Sequence, residues 1–229
     1  MLKKVTLLFT AMAASNGALA DVNYLGASMG LSLVQITKDL TYPVDDPPLT
    51  SHQFGSYSNG FHGQVFVGRQ FDFQLARFSV QGDFDGMTNV AKDRLNNYFI
   101  DTPASVTERL NYNFGVFVLP DLALNDKVHL FAGPGYVIGH FVVNSGYTGG
   151  TLGVTGDNES WLNGWGVKVG MQSTLSNHWD VLLTYQYNQY QNVYRSGIEP
   201  LTDGMLQASY KPSLSMISLG TRYLFGHQV

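Results

Sequence analysis

The chain lacks cysteine altogether and has few charged residues. None of its 229 residues is Cys, and Asp, Glu, Lys and Arg together make up 13% of the chain. Soluble domains carry about twice that share, roughly a quarter. A chain exported without disulfides must be held together by its own hydrogen bonds and packing, or by a membrane. The formal net charge of −4 does not suit a surface that binds nucleic acid.

Long hydrophobic runs are also missing, apart from one short segment at the N-terminus. After Lys3 and Lys4, residues 5–14 are mostly apolar, and Ala18-Leu19-Ala20 follows as a small-x-small motif. This order predicts a secretory signal peptide over residues 1–20 and a mature domain over residues 21–229. A membrane anchor is the alternative, but the run is too short to cross a bilayer as a helix.

In place of long apolar runs, the chain has segments that alternate between apolar and small or polar residues. In residues 24–36, Leu25, Met29 and Leu31 share one face, whereas Tyr24 and Ser28 share the other. This period of two predicts a β-strand rather than a helix. The pattern recurs in eight segments: 24–36, 61–71, 76–85, 109–118, 127–141, 161–174, 179–192 and 217–225. Pro134 lies in the fifth, where a bulge or local irregularity is predicted because proline cannot donate to a ladder.

The connections between these segments alternate in length. Residues 71–74, 120–126 and 175–178 form short connections, and residues 37–60, 86–108, 142–160 and 193–212 form long ones. Short turns at one end and four long loops at the other, over an even number of strands, predict a transmembrane eight-stranded antiparallel up-and-down β-barrel. In this all-β fold the short turns would be periplasmic and the long loops extracellular.

A soluble sandwich or a lipocalin-like barrel would show the same alternation. In those folds the apolar face points inward, and the solvated face should carry Lys, Glu and Thr. Here the second face carries Gly, Ser, Asn and Gln with isolated charges, which suits the narrow interior of an eight-stranded barrel. Aromatic residues lie where interfacial girdles are expected: Trp161 and Tyr187 near the long loops, and Trp179, Tyr223 and Phe225 near the short turns.

Three stretches of the sequence resemble the eight-stranded outer-membrane β-barrel superfamily of Gram-negative bacteria, which includes OmpA-like transmembrane domains and opacity-type surface barrels. They are LFAGPGY at 130–136, WDVLLTYQY at 179–187 and LGTRYLF at 219–225. The resemblance implies a protein of the cell outer membrane, surrounded by outer-membrane lipid. It also implies that Gly220, Tyr223 and Phe225 belong to the closing-strand signal read by the barrel assembly machinery during biogenesis. Gly226-His227-Gln228-Val229 follows Phe225, so the aromatic residue is not terminal, unlike in the usual signal.

Six charged residues fall on the inward face by the phase of their strands: Arg77, Asp83, Asp85, Arg109, Lys168 and Arg222. Burying a charge is costly unless it is paired. We therefore predict an ionic network in the lumen, with Asp83 and Asp85 facing some of Arg109, Lys168 and Arg222. The pairs would either form a gate that can switch or a fixed plug that fills the barrel and sets strand register.

Catalytic and metal-binding patterns are weak in this sequence. The histidines have no metal-like spacing, and no motif joins a nucleophile to a histidine and an acid. We therefore expect no enzyme, no metal and no cofactor. Acidic residues of the long loops, Asp45 and Asp46 with the run Asp157-Asn158-Glu159, would either bind a cation or a host surface, or simply be solvated.

The sequence therefore predicts a non-enzymatic integral outer-membrane protein. The barrel would anchor the external loops, and these would contribute to the envelope structure or bind an extracellular or host ligand. A small ion or solute channel of the porin kind is the first alternative, and a lipid- or peptide-modifying enzyme is the second.

Overall fold

The computed structural model describes residues 22–42, 49–73, 76–95, 104–147, 159–198 and 205–225. The predicted signal peptide and the loop residues Asp45, Asp46, Asp157 and Asn158 lie outside these residues. Within the described ranges, no helix has the length and apolar character needed to cross a membrane. The regular elements are β1 (Val22–Tyr42), β2 (Leu49–Phe73), β3 (Ala76–Met87), β4 (Val90–Leu95), β5 (Ala104–Ala123), β6 (Val128–Tyr147), β7 (Glu159–Ser176), β8 (Trp179–Tyr190), β9 (Val193–Ile198) and β10 (Met205–Phe225).

The strands close into an eight-stranded antiparallel barrel, as predicted. β4 continues the path of β3 and β9 continues that of β8, so the ten elements fill eight positions in the order β1-β2-β3-β5-β6-β7-β8-β10. β10 pairs back onto β1 over an unbroken register from Asn23↔Phe225 to Thr41↔Gln207. Closure satisfies the backbone hydrogen bonds of both edges, which a strand in lipid requires.

The two faces of each strand differ in the way that the period of two implies. On β1, Met29 points outward and is 74% exposed, whereas Tyr24 points inward and is fully buried. Apolar outward positions form a belt about nine residues tall on each strand, as on residues 25–33 of β1 and 217–225 of β10. This height matches the roughly 9–11 residues that a tilted strand needs to cross a bilayer.

The strands continue well beyond the apolar belt. With 21 residues, β1 is about 70 Å long and rises about 50 Å when tilted by about 40°, whereas the apolar band of such barrels is about 25 Å tall. The excess lies at the end opposite the short turns, which we call the loop end; the other is the turn end. Parts of the segments predicted as loops are therefore strands, because each hairpin continues its backbone ladder: β1 reaches Tyr42 and β2 begins at Leu49.

At the loop end the barrel wall divides into two sheets. One sheet contains β4, β5 and β6, and the other contains β9, β10, β1 and β2. Among the described residues, β4 pairs with β5 alone and β9 with β10 alone. The inner faces pack together: Phe141 of β6 lies against Tyr210 of β10, with ring centroids 6.1 Å apart. The interior above the belt is thus an apolar two-layer core rather than an open mouth.

The prediction for Pro134 was a bulge or a local irregularity, and the structure shows no bulge there. β6 runs through it, and its register with β7 is unchanged from Gly133↔Lys168 to Pro134↔Val167. On the β5 side, pairing stops after Phe117↔Gly135 and resumes at Asp121↔Phe131. The irregularity is therefore a gap in one ladder, where prolines at 120 and 134 offer no N–H to the partner strand.

Candidate functional site

The barrel interior is the candidate site, and a lysine–aspartate pair lies at the middle of it. Lys168 of β7 forms an ion pair with Asp83 of β3, and both side chains are almost completely buried. Three strand positions separate β3 from β7 around the wall, so the pair crosses the lumen. Gln81 donates a hydrogen bond to Asp83 Oδ1 at 2.8 Å. Pairing and hydrogen bonding together offset the cost of burying the two charges.

Asp85 lies one inward position from Asp83, and amide groups satisfy it. Gln64 Nε2 donates to Asp85 Oδ1 and Asn113 Nδ2 donates to Asp85 Oδ2, both at 2.8 Å. Tyr190 of β8 then donates its hydroxyl to Asn113 Oδ1 at 2.9 Å. A connected polar network therefore crosses the barrel at this level, and such networks hold their members rigidly when each one is satisfied.

An aromatic ring fills the space beside this network. The ring of Phe117 is fully buried, and Lys168 Nζ lies 4.6 Å from its centroid. A Cβ added to Gly115 would lie 2.6 Å from the Phe117 ring, and one added to Gly166 would lie 3.2 Å from it. The ring therefore takes up space that a side chain would need at Gly115 of the same strand and at Gly166 of β7.

A second group of charges closes the turn end. Arg222 Nε lies 2.8 Å from Asp180 Oδ2, and its guanidinium lies 4.7 Å from the ring centroid of Tyr24. Arg77 Nε lies 3.7 Å from Asp121 Oδ2, and His129 Nδ1 lies 2.9 Å from Asp121 Oδ1. Gln70 connects the two pairs because it accepts hydrogen bonds from both arginines.

A third ion pair joins the two sheets at the loop end. Lys38 Nζ of β1 lies 2.6 Å from Glu108 Oε1 of β5, and their side chains are 5% and 0% exposed. Ser56 of β2 donates its hydroxyl to Glu108 Oε2 at 2.8 Å. The buried apolar residues Ile36, Phe141, Val143 and Tyr210 belong to the same core.

The structure brings together only some of the residues predicted for the lumen. Arg77, Asp83, Asp85, Lys168 and Arg222 face the interior, but only Asp83 and Lys168 pair with each other. Sequence reasoning missed Asp180, Asp121, Lys38 and Glu108. Asp180 lies two residues before Leu182, which the strand pattern assigned to the inward face, so the same pattern places Asp180 inside. Asp121, Lys38 and Glu108 fell in segments read as connections.

The predicted lumen position of Arg109 is wrong. Its neighbours Glu108 and Leu110 are buried, and Arg109 is exposed on the outer face. The register between β5 and β6 shifts between Leu110 and Tyr112, so Asn111 is an extra residue that reverses the phase of the strand before it. Outward placement is tolerated because Arg109 lies beyond Tyr112, above the apolar belt.

The outer surface carries the aromatic residues predicted for the girdles. Near the turn end, the ring of Tyr223 lies 5.3 Å from that of Trp179 and 6.5 Å from that of Phe225. Near the loop end, Trp161 is about half exposed, and Tyr187 packs edge-on against Trp165. Gly220 faces inward where β10 meets β1, and a Cβ there would lie 2.6 Å from Ala27 O. Its role as an assembly signal stays a prediction.

Within the described ranges, no group of histidine and acidic side chains is arranged to hold a metal ion. The interior offers paired charges, and amides that donate to Asp83 and Asp85, rather than an open coordination site. Its arrangement can fill the barrel, fix the relative heights of the strands and exclude water from the centre.

Comparison with known proteins places this geometry among outer-membrane proteins. A family model described as the outer membrane protein beta-barrel domain matches residues 5–224. The fold is similar to that of the outer membrane protease OmpT from Escherichia coli, at 9% identity, with 93% of this chain and 99% of that chain covered and a TM-score of 0.53. At this identity the likeness concerns the fold alone.

Two smaller barrels are also similar to this chain. For neisserial surface protein A the identity is 17%, the coverage is 89% of this chain and 97% of that chain, and the TM-score is 0.42. For the attachment invasion locus protein of Yersinia pestis the corresponding values are 13%, 86%, 98% and 0.35. No curated protein matches this chain.

Proposed function

The chain belongs to the outer membrane protein β-barrel family, and we propose that it is a closed, non-enzymatic barrel that anchors an extracellular two-sheet structure for contacts at the cell surface. The loop end is then extracellular and the turn end periplasmic. The observation that carries the proposal is the filled lumen, because a barrel that conducts solutes needs a continuous polar path.

Three successive layers obstruct such a path. Arg222 with Asp180 lies at the periplasmic end, Lys168 with Asp83 at mid-height and Lys38 with Glu108 at the extracellular end. The bulky rings of Phe117 and Phe141 are fully buried in the same interior. Eight strands leave an interior only wide enough for side chains, so these groups obstruct the passage of a hydrated ion.

The extracellular extensions support a role in surface contacts. β4 and β9 each pair on one side only among the described residues, so each presents an edge of backbone N–H and C=O groups. Such an edge can accept an extended segment of another protein by strand addition. The embedded belt would hold these edges at a fixed height above the membrane.

Conductance of the folded protein in a planar bilayer tests the closed lumen. We expect the folded wild type to be silent. Electrophoretic mobility before and after heating checks folding, and co-flotation with vesicles checks insertion. Discrete current steps from the folded wild type would overturn the proposal and identify a channel.

A further inference from the structure

Three basic side chains lie along one diagonal of the outer face, near the upper limit of the apolar belt. Arg109 of β5 is directly opposite Val90 of β4 and Val142 of β6. Lys92 is two positions from Val90 on β4, and His140 is two positions from Val142 on β6. Lys92 and His140 are therefore diagonal neighbours of Arg109, each at about 7–8 Å between Cα atoms. Lys92 lies on the loop-end side of Arg109 and His140 on the turn-end side, so Arg109 is the middle member of the row.

The residues next to these three in the sequence point inward, which establishes that the three themselves point outward. Ala91, Glu108 and Phe141 are buried in the two-sheet core, so the alternating residues Lys92, Arg109 and His140 face away from it. Lys92 and Arg109 are exposed. Within the described residues, neither forms an ion pair with an acidic side chain.

An aromatic shelf lies at the level of His140, on the turn-end side of Arg109 and Lys92. It is formed by Phe84 of β3, Tyr112 and Phe114 of β5 and Trp161 of β7, with the ring of His140 of β6 inserted among them. The His140 ring lies 4.8 Å from that of Trp161 and 6.0 Å from that of Tyr112. Aromatic belts of this kind lie at the headgroup level of a bilayer, so the shelf fixes the depth of the basic residues.

We propose that Lys92, Arg109 and His140 bind the phosphate-bearing headgroup of an outer-leaflet lipid. The bases lie where lipid phosphates lie, just above the hydrocarbon, and the half-exposed rings beneath them suit the first carbons of the acyl chains. Basic residues near a membrane surface attract anionic headgroups. The attraction would come from these basic residues and not from the overall charge of the protein, since the whole chain has a formal net charge of −4.

Glu159 places a negative charge beside His140 and so limits the positive charge of the site. Its carboxylate oxygen Oε2 lies 3.5 Å from His140 Nε2, and its side chain is 69% exposed. Glu159 is directly opposite Val142 on β6, in the same row as Arg109. Removing the carboxylate should therefore strengthen the binding of a phosphate.

Binding of bisphosphorylated lipid A to the folded protein in micelles, measured by native mass spectrometry, tests the proposal. A Lys92→Gln/Arg109→Gln variant should bind about thirtyfold more weakly, at about fivefold for each basic residue. The matched control is Lys211→Gln, because Lys211 is also exposed but lies on β10 in the other sheet. It should change the affinity less than twofold, and Glu159→Gln should bind more tightly.

Each comparison can also contradict the proposal. Unchanged affinity in the Lys92→Gln/Arg109→Gln variant, or an equal loss in Lys211→Gln, would overturn the site. Equal binding of lipid A without its phosphates would overturn phosphate recognition. Inorganic phosphate that displaces the lipid at equal concentration would mean that the site takes free phosphate rather than a lipid headgroup. The electrophoretic mobility of each variant before heating confirms that it is folded.

Discussion

At the scale of single residues, the Lys168–Asp83 pair shows how a partner offsets the cost of burying a charge in the lumen. Lys168 is 1% exposed and its partner Asp83 is 5% exposed, so neither is solvated by bulk water. Such a pair adds little stability compared with apolar residues of the same size, but removing one member leaves an uncompensated charge. The pair therefore acts mainly as a constraint on register, since β3 and β7 must stay at matching heights for it to form.

The variant Lys168→Met is expected to lower the free energy of unfolding by about 3–5 kcal/mol, because it leaves Asp83 buried without its cation. Lys168→Met/Asp83→Asn should recover much of the loss, since both charges are removed together. The measurement is a urea titration of the barrel refolded in vesicles. Lys211→Met serves as the exposed control, with an expected change within about 0.5 kcal/mol. Additive losses in the double variant would contradict the pairing.

At the scale of elements, β5 illustrates what a sequence pattern can and cannot predict. From Tyr112 to Val118 the alternation gave the correct outward face, as it did for Leu25 against Tyr24 and for Val65 against Phe66. Before Tyr112 the prediction failed, because one extra residue at Asn111 exchanges the two faces without any change in composition. A bulge depends on the partner strand, so a single strand's periodicity cannot reveal it.

The Lys38–Glu108 pair links the two sheets at the loop end, so removing it should weaken the packing of one sheet on the other. We expect Lys38→Met to speed amide hydrogen exchange in residues 104–110 and 90–92, while exchange in the embedded residues 112–118 stays unchanged. Mass spectrometry of the folded protein in micelles measures both regions in one experiment. Glu159→Gln removes an exposed carboxylate and should leave both regions unaffected. Equal acceleration along the whole of β5 would contradict a local link.

At the scale of the whole molecule, the fold followed from the sequence but the site did so only in part. Eight alternating segments and the alternation of connection lengths were sufficient for a closed antiparallel barrel. The partners inside it were not predictable, because a pair such as Asp83 with Lys168 joins strands three positions apart and depends on the stagger of every strand between them. The extracellular core was missed because residues such as Lys38 and Glu108 look like loop residues until both sheets are in place.

The central claim is that the lumen is closed to water and solutes, and the absence of cysteine from the chain allows one direct measurement. Single variants Ser218→Cys, buried in the lumen at 5% exposure, and Gln35→Cys, exposed on the neighbouring strand β1 beyond the apolar belt, are each folded into vesicles. A small charged thiol reagent is then supplied on both sides. The account predicts rapid modification of Gln35→Cys and none of Ser218→Cys until the barrel is unfolded. Modification of folded Ser218→Cys at a rate comparable to that of Gln35→Cys would contradict it.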